Sequence, residues 1–242
     1  MENFEFLKTP YLPEKHAKVF IADTEIEGAI VIKPPKMDML EKSLSHHADL
    51  SICIVSEKKA VCPPESCAYY KLALGMYGFS VIEGKTNLGK HYPLDSAYNV
   101  CIVGNKCFVN TKICDPVLLK TVVDEGKEII DVPQGYTKCS ICPIDENTII
   151  TADARICSEA KKRGMECLLI SNEGVYLEGY DYGFFGGACG MLSGKVLLIN
   201  GEISTMKSAE KIQSFLSEKK IEIQSLRKGK VCDIGSIIPV ME

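Results

Sequence analysis

Twelve cysteines and four histidines carry most of the side chains in this 242-residue chain that could do nucleophilic, redox or metal chemistry. Cys139-Ser140-Ile141-Cys142 has the C-x-x-C spacing that zinc and dithiol redox sites use. It falls at the start of an expected strand, where residues three apart point to opposite faces, so the two sulfurs are not expected to share an ion. No second C-x-x-C and no spaced histidine pair follows, so neither a metal nor a cofactor is expected. Cys62 and Cys67 flank Pro63-Pro64 at a helix start and read the same way. A glycine-rich run, Gly179 to Gly190, encloses Tyr180, Asp181, Tyr182 and the pair Gly186-Gly187. Such glycines permit close approach of backbone to a ligand or to another segment. Cys189, inside that run, is the most nucleophile-like cysteine, with Cys139 the other weak candidate. Among the histidines, His46-His47 are expected at the surface end of a helix, where a cationic side chain suits the dipole. His91, in a polar loop, is the one candidate base, and no Ser-His-Asp order with a nucleophile elbow is visible.

The elements that must position these groups repeat. Val100–Val103 and Cys107–Val109 flank Gly104-Asn105 as a β-hairpin. Asp115-Pro116 then reads as an N-cap with proline at the first helical position, Gly126 as the C-cap glycine, and Ile129–Val132 as a third strand. Hairpin turns recur at Glu57-Lys58, Gly104-Asn105, Glu146-Asn147 and Gly194-Lys195, about forty-five residues apart, a spacing that marks repeat architectures. The helices expected after them are Pro63–Met76, Asp115–Glu125, Asp153–Arg163 and Thr205–Lys219, each followed by a short apolar strand. Two copies share wording, Ser51-Ile52-Cys53 against Ser140-Ile141-Cys142, and two share Val109-Asn110 against Ile199-Asn200. A fifth copy is split. Its helix is expected within Pro35–His47, and its strands are Val19–Ala22, Gly28–Ile32 and the C-terminal Ser236–Val240. Pairing first and last strands in one blade closes a ring and removes open edges.

The expected fold is therefore α/β, five β-β-α-β blades in one domain spanning 1–242. The blades fall at about 1–50 with 234–242, 51–96, 97–138, 139–187 and 188–233. Residues up to about Lys18 are the expected loose segment. A net charge of −4 argues against nucleic acid as a partner. Apolar runs fall far short of the roughly eighteen residues that cross a bilayer, and no signal peptide opens the chain. Cysteines placed mostly in apolar segments suit a reducing cytoplasm. Nothing in the sequence sets an oligomeric state.

Five such repeats resemble the pentein fold of the guanidine-modifying enzymes, closest in pattern to the dimethylarginine dimethylaminohydrolase type. The Leu94-Asp95-Ser96-Ala97-Tyr98-Asn99 segment before Val103-Gly104 carries the nearest wording. The resemblance implies a cysteine nucleophile, a histidine acid and base, and carboxylates gripping a planar cation. Counting from the turns, the family's acidic pair falls at Leu50-Ser51, its later aspartate at Asn99, its histidine at Tyr136 and its cysteine at Gly235. The expectation is a pentein without the catalytic set. It would bind a small polar molecule in its channel and would not deiminate. The expected ligand contacts are Tyr98, Asn99, Tyr136, Lys138, Asp181, Tyr182, Gly186, Gly187 and Asp233, with Cys189 nearby and an anionic ligand group near Lys138. Two alternatives stand beside it: a cysteine-dependent amidinohydrolase with a relocated nucleophile, Cys189 or Cys139, and a non-catalytic interaction protein like the ribosome anti-association factors.

Overall fold

The computed structural model describes residues 4–242. Its elements in chain order begin with β1 (Val19–Ile21), β2 (Ile30–Ile32), α1 (Ala48–Ser51), β3 (Cys53–Ser56), β4 (Lys59–Cys62), α2 (Pro64–Gly75) and β5 (Ser80–Glu83). Next come β6 (Cys101–Val103), β7 (Lys106–Val109), α3 (Pro116–Asp124), β8 (Glu128–Asp131), α4 (Thr137–Ser140), β9 (Ile141–Asp145), β10 (Thr148–Thr151), α5 (Ala154–Lys162) and β11 (Glu166–Leu169). The last group is β12 (Val175–Tyr176), β13 (Cys189–Ser193), β14 (Val196–Ile199), α6 (Ala209–Glu218), β15 (Glu222–Ser225), β16 (Val231–Cys232) and β17 (Ile238–Met241).

Five three-stranded sheets share one plan. Within each sheet the first strand runs antiparallel to the second, and the third lies parallel to the second. A parallel neighbour cannot be reached by a tight turn, so a crossover must intervene. In four sheets that crossover is α2, α3, α5 or α6. Asp115 and Asp153 cap α3 and α5, each side chain accepting two backbone N–H bonds in the first turn. The shared asparagines do the same work: Asn110 donates to the Pro133 carbonyl at 2.9 Å and Asn200 to that of Cys232 at 3.1 Å. The split sheet, ordered β17-β1-β2, joins the two ends of the chain. One element has no counterpart in the repeat, a short parallel pair of β12 with β16.

The first strands β3, β6, β9, β13 and β17 are buried along most of their length. They pack side by side: β6 meets β9, β9 meets β13, and β13 meets β17. The entry to β17 closes onto the entry to β3 through Asp49 N–H to Gly235 C=O, 3.1 Å. Short helical turns precede three of these strands, namely α1, α4 and the 3-10 turn Gly186–Ala188. The first two of these turns bring Asp49 and Cys139 into contact.

Three expectations are corrected here. Pro35–His47 forms no α-helix; it is a loop pinned by Met37 N–H to the Ser45 carbonyl, 2.8 Å, with one 3-10 turn at Lys42–Leu44. Met37, Leu40 and Leu44 are buried all the same, because tight turns can satisfy an apolar three-residue spacing as a helix does. Helix α6 starts at Ala209 rather than Thr205, after a separate 3-10 turn at Ile203–Thr205. The N-terminal segment is tied down where it is described: Glu5 and Glu242 exchange backbone bonds of 2.7 and 2.9 Å, and Tyr11 is buried. The first three residues of that segment lie outside the described residues. All twelve cysteines are free. Among the described residues, no helix is long and apolar enough to cross a membrane.

Candidate active site

The turn α1 places Asp49 with His47 just before it, and α4 places Lys138 and Cys139. One ligand-capable atom from each of His47, Asp49 and Cys139 lies within 4.8 Å of the others, and all three residues are buried. The Cys139 thiol donates to Asp49 Oδ2 at 3.1 Å. Asn99 holds this arrangement from the third sheet's entry. Its Oδ1 accepts from the backbone of Lys138 and Cys139 at 2.7 and 3.2 Å, and its Nδ2 donates to Cys139 Sγ at 3.0 Å.

Behind Asp49 runs a buried relay. Ser236 donates to the same Asp49 Oδ2 at 2.5 Å and accepts from Lys138 Nζ at 3.0 Å. Ser236 holds φ at +74°, a conformation non-glycine residues seldom adopt, which places its hydroxyl between the lysine and the aspartate. Lys138 Nζ also stands 5.2 Å above the Tyr11 ring. Asp233 completes the acidic groups, accepting from Phe184 N–H at 2.8 Å and Gly235 N–H at 3.0 Å, with Oδ1 4.0 Å from His47 Nδ1.

Two of the diglycine positions are forced by this packing. A Cβ on Gly186 would come within 2.3 Å of the Ile141 carbonyl oxygen, and one on Gly187 within 2.1 Å of Asp233 Oδ1. The backbone passes here too close to the site for any side chain.

Burial shapes the titration of every group. It raises the carboxyl of Asp49 above its ordinary value and pushes that of Asp233 up to about 6. It lowers the His47 imidazole, favouring the neutral base. The Cys139 thiol is held well above its ordinary value, by burial first and then by the negative charge of Asp49 and Asp233. For Lys138 burial works against the charge, yet the groups facing it, Cys101 first and Asp49 next, hold its pKa above the ordinary value. Cys101 is itself pushed up to about 12 and is protonated at neutral pH, so Asp49 is the operative counter-charge. The buried set thus holds two carboxyl groups, Asp49 and Asp233, against one ammonium, Lys138.

A cavity of about 270 Å³ opens onto His47, Cys139 and Asp233. Two buried polar atoms of the cluster, His47 Nδ1 and Asp49 Oδ1, have no hydrogen-bond partner among the described residues. Buried polar groups are normally paired, and of these two residues His47 lines the cavity, so its unpaired nitrogen is poised for a ligand while Asp49 lies behind the lining. A neutral imidazole near a thiol is a base that can activate a sulfur nucleophile, whereas the carboxylate accepting the thiol's hydrogen bond holds the sulfur protonated until a cation offsets its charge. The same three atoms are also donor types that take a divalent ion such as Zn²⁺.

The structure separates the residues singled out from sequence. Tyr136, Asp181, Tyr182 and Asp233 line the cavity; Asn99 and Lys138 lie behind it as described. Gly186 and Gly187 serve backbone packing. Tyr98 is buried away from the cluster, donating to the Thr86 carbonyl at 2.8 Å. Cys189 points elsewhere, its thiol 3.0 Å from the Phe185 carbonyl, and burial raises its pKa well above the ordinary value. His91 is exposed and faces Glu41 at 3.5 Å, so it is no base for this cavity. His47, expected at the surface, is only 4% exposed. Cys139, expected in a strand, sits in the helical turn before it and so points inward.

The expectation of a pentein lacking a catalytic set is overturned by the His47–Asp49–Cys139 cluster. With it fall the readings that rested on that absence, a non-deiminating binder and a non-catalytic interaction protein. Counting set the family's acidic pair at Leu50-Ser51, neither of which is a carboxylate; the buried carboxylate of this turn is Asp49, one residue earlier.

The fold is that of the pentein-type α/β proteins. An inosamine-phosphate amidinotransferase from Streptomyces griseus superposes with a TM-score of 0.62 over 97% of both chains, at 10% identity. A dimethylarginine dimethylaminohydrolase from Pseudomonas aeruginosa, complexed with citrulline, gives 0.57 over 87% of this chain and 92% of that one, at 8% identity. An agmatine deiminase from C. jejuni gives 0.54 over 93% and 92%, at 12% identity. At such identities the likeness establishes the fold alone. The chain itself belongs to a family of unknown function, DUF6873, whose profile matches residues 14–238. A search of curated proteins finds no match.

Proposed function

We propose that this protein is a cysteine-dependent amidinohydrolase whose nucleophile, Cys139, lies at the entry to the fourth sheet instead of near the C-terminus. The observation that carries the reading is the His47–Asp49–Cys139 cluster, of which His47 and Cys139 line a cavity, with unpaired polar atoms on His47 and Asp49. The substrate class is a guanidinium or amidinium cation, which the excess of buried carboxylate over buried ammonium would hold. Such a cation beside Asp233 also offsets part of the negative charge that keeps the Cys139 thiol protonated.

In the first half-reaction His47 takes the thiol proton and Sγ attacks the amidino carbon. The bond from that carbon to the leaving nitrogen breaks as His47 returns the proton, releasing ammonia or an amine. In the second, His47 deprotonates a water that attacks the S-bound carbon. The C–S bond breaks, the sulfur is reprotonated, and a ureido or amide product leaves. The five sheets are read as propeller blades of one domain, 1–242, with the site on the axis. A reducing cytoplasm suits a chain with a thiol nucleophile and no disulfide.

The test is turnover of a panel of guanidines and amidines, followed by ammonia and ureido product. Activity lost in Cys139→Ser and His47→Ala, and kept in Cys189→Ser, supports the reading. Activity that survives Cys139→Ser removes it. Activity that chelators abolish and Zn²⁺ restores would instead make the three residues ligands of a metal.

A further inference from the structure

The mouth of the Cys139 cavity differs in chemistry from its floor. Tyr136, Tyr180, Tyr182 and Phe184 stand around it. The Phe184 ring lies 5.9 Å from Tyr136 and 6.3 Å, edge-on, from Tyr182, and Tyr92 extends the series 5.6 Å beyond Tyr136. Tyr180 and Tyr182 leave 46% and 53% of their surface in solvent. Exposed aromatic surface gathered around a concave site marks a place of binding. Leu44, Leu50 and Leu177 supply apolar wall.

The charges are one-sided. Asp181 and Asp233 line the cavity, and among the described residues no lysine or arginine does. Lys90 and His91 each face the Glu41 carboxylate at 3.5 Å. Lys138, 3% exposed, is engaged by Ser236. A substrate carboxylate entering this cavity would lose its water, meet two aspartates, and lie against ring faces that carry negative charge density. A cation or a second ring gains on the same surfaces.

We infer that the site selects a guanidine or amidine that bears an aromatic or apolar tail and no carboxylate, with Tyr180 and Tyr182 as the tail's contact surface. This deepens the amidinohydrolase reading and rests on it. The experiment is calorimetric titration of full-length Cys139→Ser, which cannot turn over, with benzylguanidine and with arginine. Benzylguanidine should bind at least tenfold tighter than arginine. Tyr182→Ala, at an exposed position, should narrow that ratio at least threefold with the melting temperature unchanged. Arginine binding as tightly as benzylguanidine, or a ratio untouched by Tyr182→Ala, overturns the inference and leaves the role of Cys139 standing. Binding of neither compound overturns the inference and counts against the amidinohydrolase reading as well.

Discussion

Replacing Lys138 by methionine keeps the length of the side chain and deletes its buried charge. The ammonium has one hydrogen-bond partner, Ser236 Oγ at 3.0 Å, and rests over the Tyr11 ring. Without it, the carboxylates of Asp49 and Asp233 stand buried beside a histidine that burial keeps neutral. Lys138 reaches Asp49 through Ser236 and not by direct contact, so the cost of leaving the buried carboxylate without its counter-charge, about 3–5 kcal/mol for a direct buried pair, is taken here as the expected scale. In a chain of this size that lowers the melting temperature by about 6–20 °C. The cost must depend on pH. Both carboxylates titrate above their ordinary values, Asp233 at about 6, so their contribution to stability is fullest at acid pH and fades as pH rises through those raised values. Losing Lys138 raises them further, so the deficit grows from pH 5 to pH 8. Urea unfolding of both proteins at the two pH values measures it. The double variant Lys138→Met/Asp49→Asn should recover most of the loss at pH 8. A deficit below about 1 kcal/mol at pH 8, against the 3–5 expected for a buried pair, or one larger at pH 5, would refute the account of Lys138 as the counter-charge.

Three further outcomes follow from the same geometry. Gly187→Ala drives a methyl group onto Asp233 and should lower stability and any activity together, read by thermal melting beside turnover. Asp233→Asn removes a carboxyl whose pKa is raised to about 6; its stability relative to wild type should rise between pH 4 and pH 7, by up to about 3 kcal/mol from that shift, checked by urea unfolding. Tyr136→Phe deletes the hydroxyl that donates to Asp95 at 2.7 Å. That leaves a buried carboxyl unpaired, at a cost of about 1–3 kcal/mol by chemical denaturation.

The framework was legible because its signals are local. The hairpin turns at Glu57-Lys58 and Gly104-Asn105 join β3 to β4 and β6 to β7, and Asp115 and Asp153 cap helices, as their residue types imply. The site was legible in part: Tyr136, Asp181, Tyr182 and Asp233 were singled out, but the His47–Asp49–Cys139 cluster was not, because what positions it is a helical turn too short to leave a periodicity. Counting back from the hairpin set the family's acidic pair at Leu50-Ser51, neither of them acidic, and missed Asp49 and His47. Reading Cys139 at the start of a strand, and not in the turn before it, kept it apart from its partners. A usable signal existed in the shared wording of Ser51-Ile52-Cys53 and Ser140-Ile141-Cys142. Extending that alignment backwards sets Asp49 opposite Lys138 and Leu50 opposite Cys139, so both turns are seen to carry polar side chains to one place. Ser236 gave no such signal, since its role depends on a φ of +74°.

The central claim is that Cys139 is a nucleophile for a planar amidinium group. The direct measurement is incubation of the wild-type protein with 2-chloroacetamidine, an amidinium carrying an alkylating carbon, followed by peptide mass spectrometry. The account predicts one saturable adduct, on Cys139, slowed by benzylguanidine and absent in Cys139→Ser. Adducts confined to the partly exposed Cys114 and Cys232, with Cys139 unmodified, would contradict it.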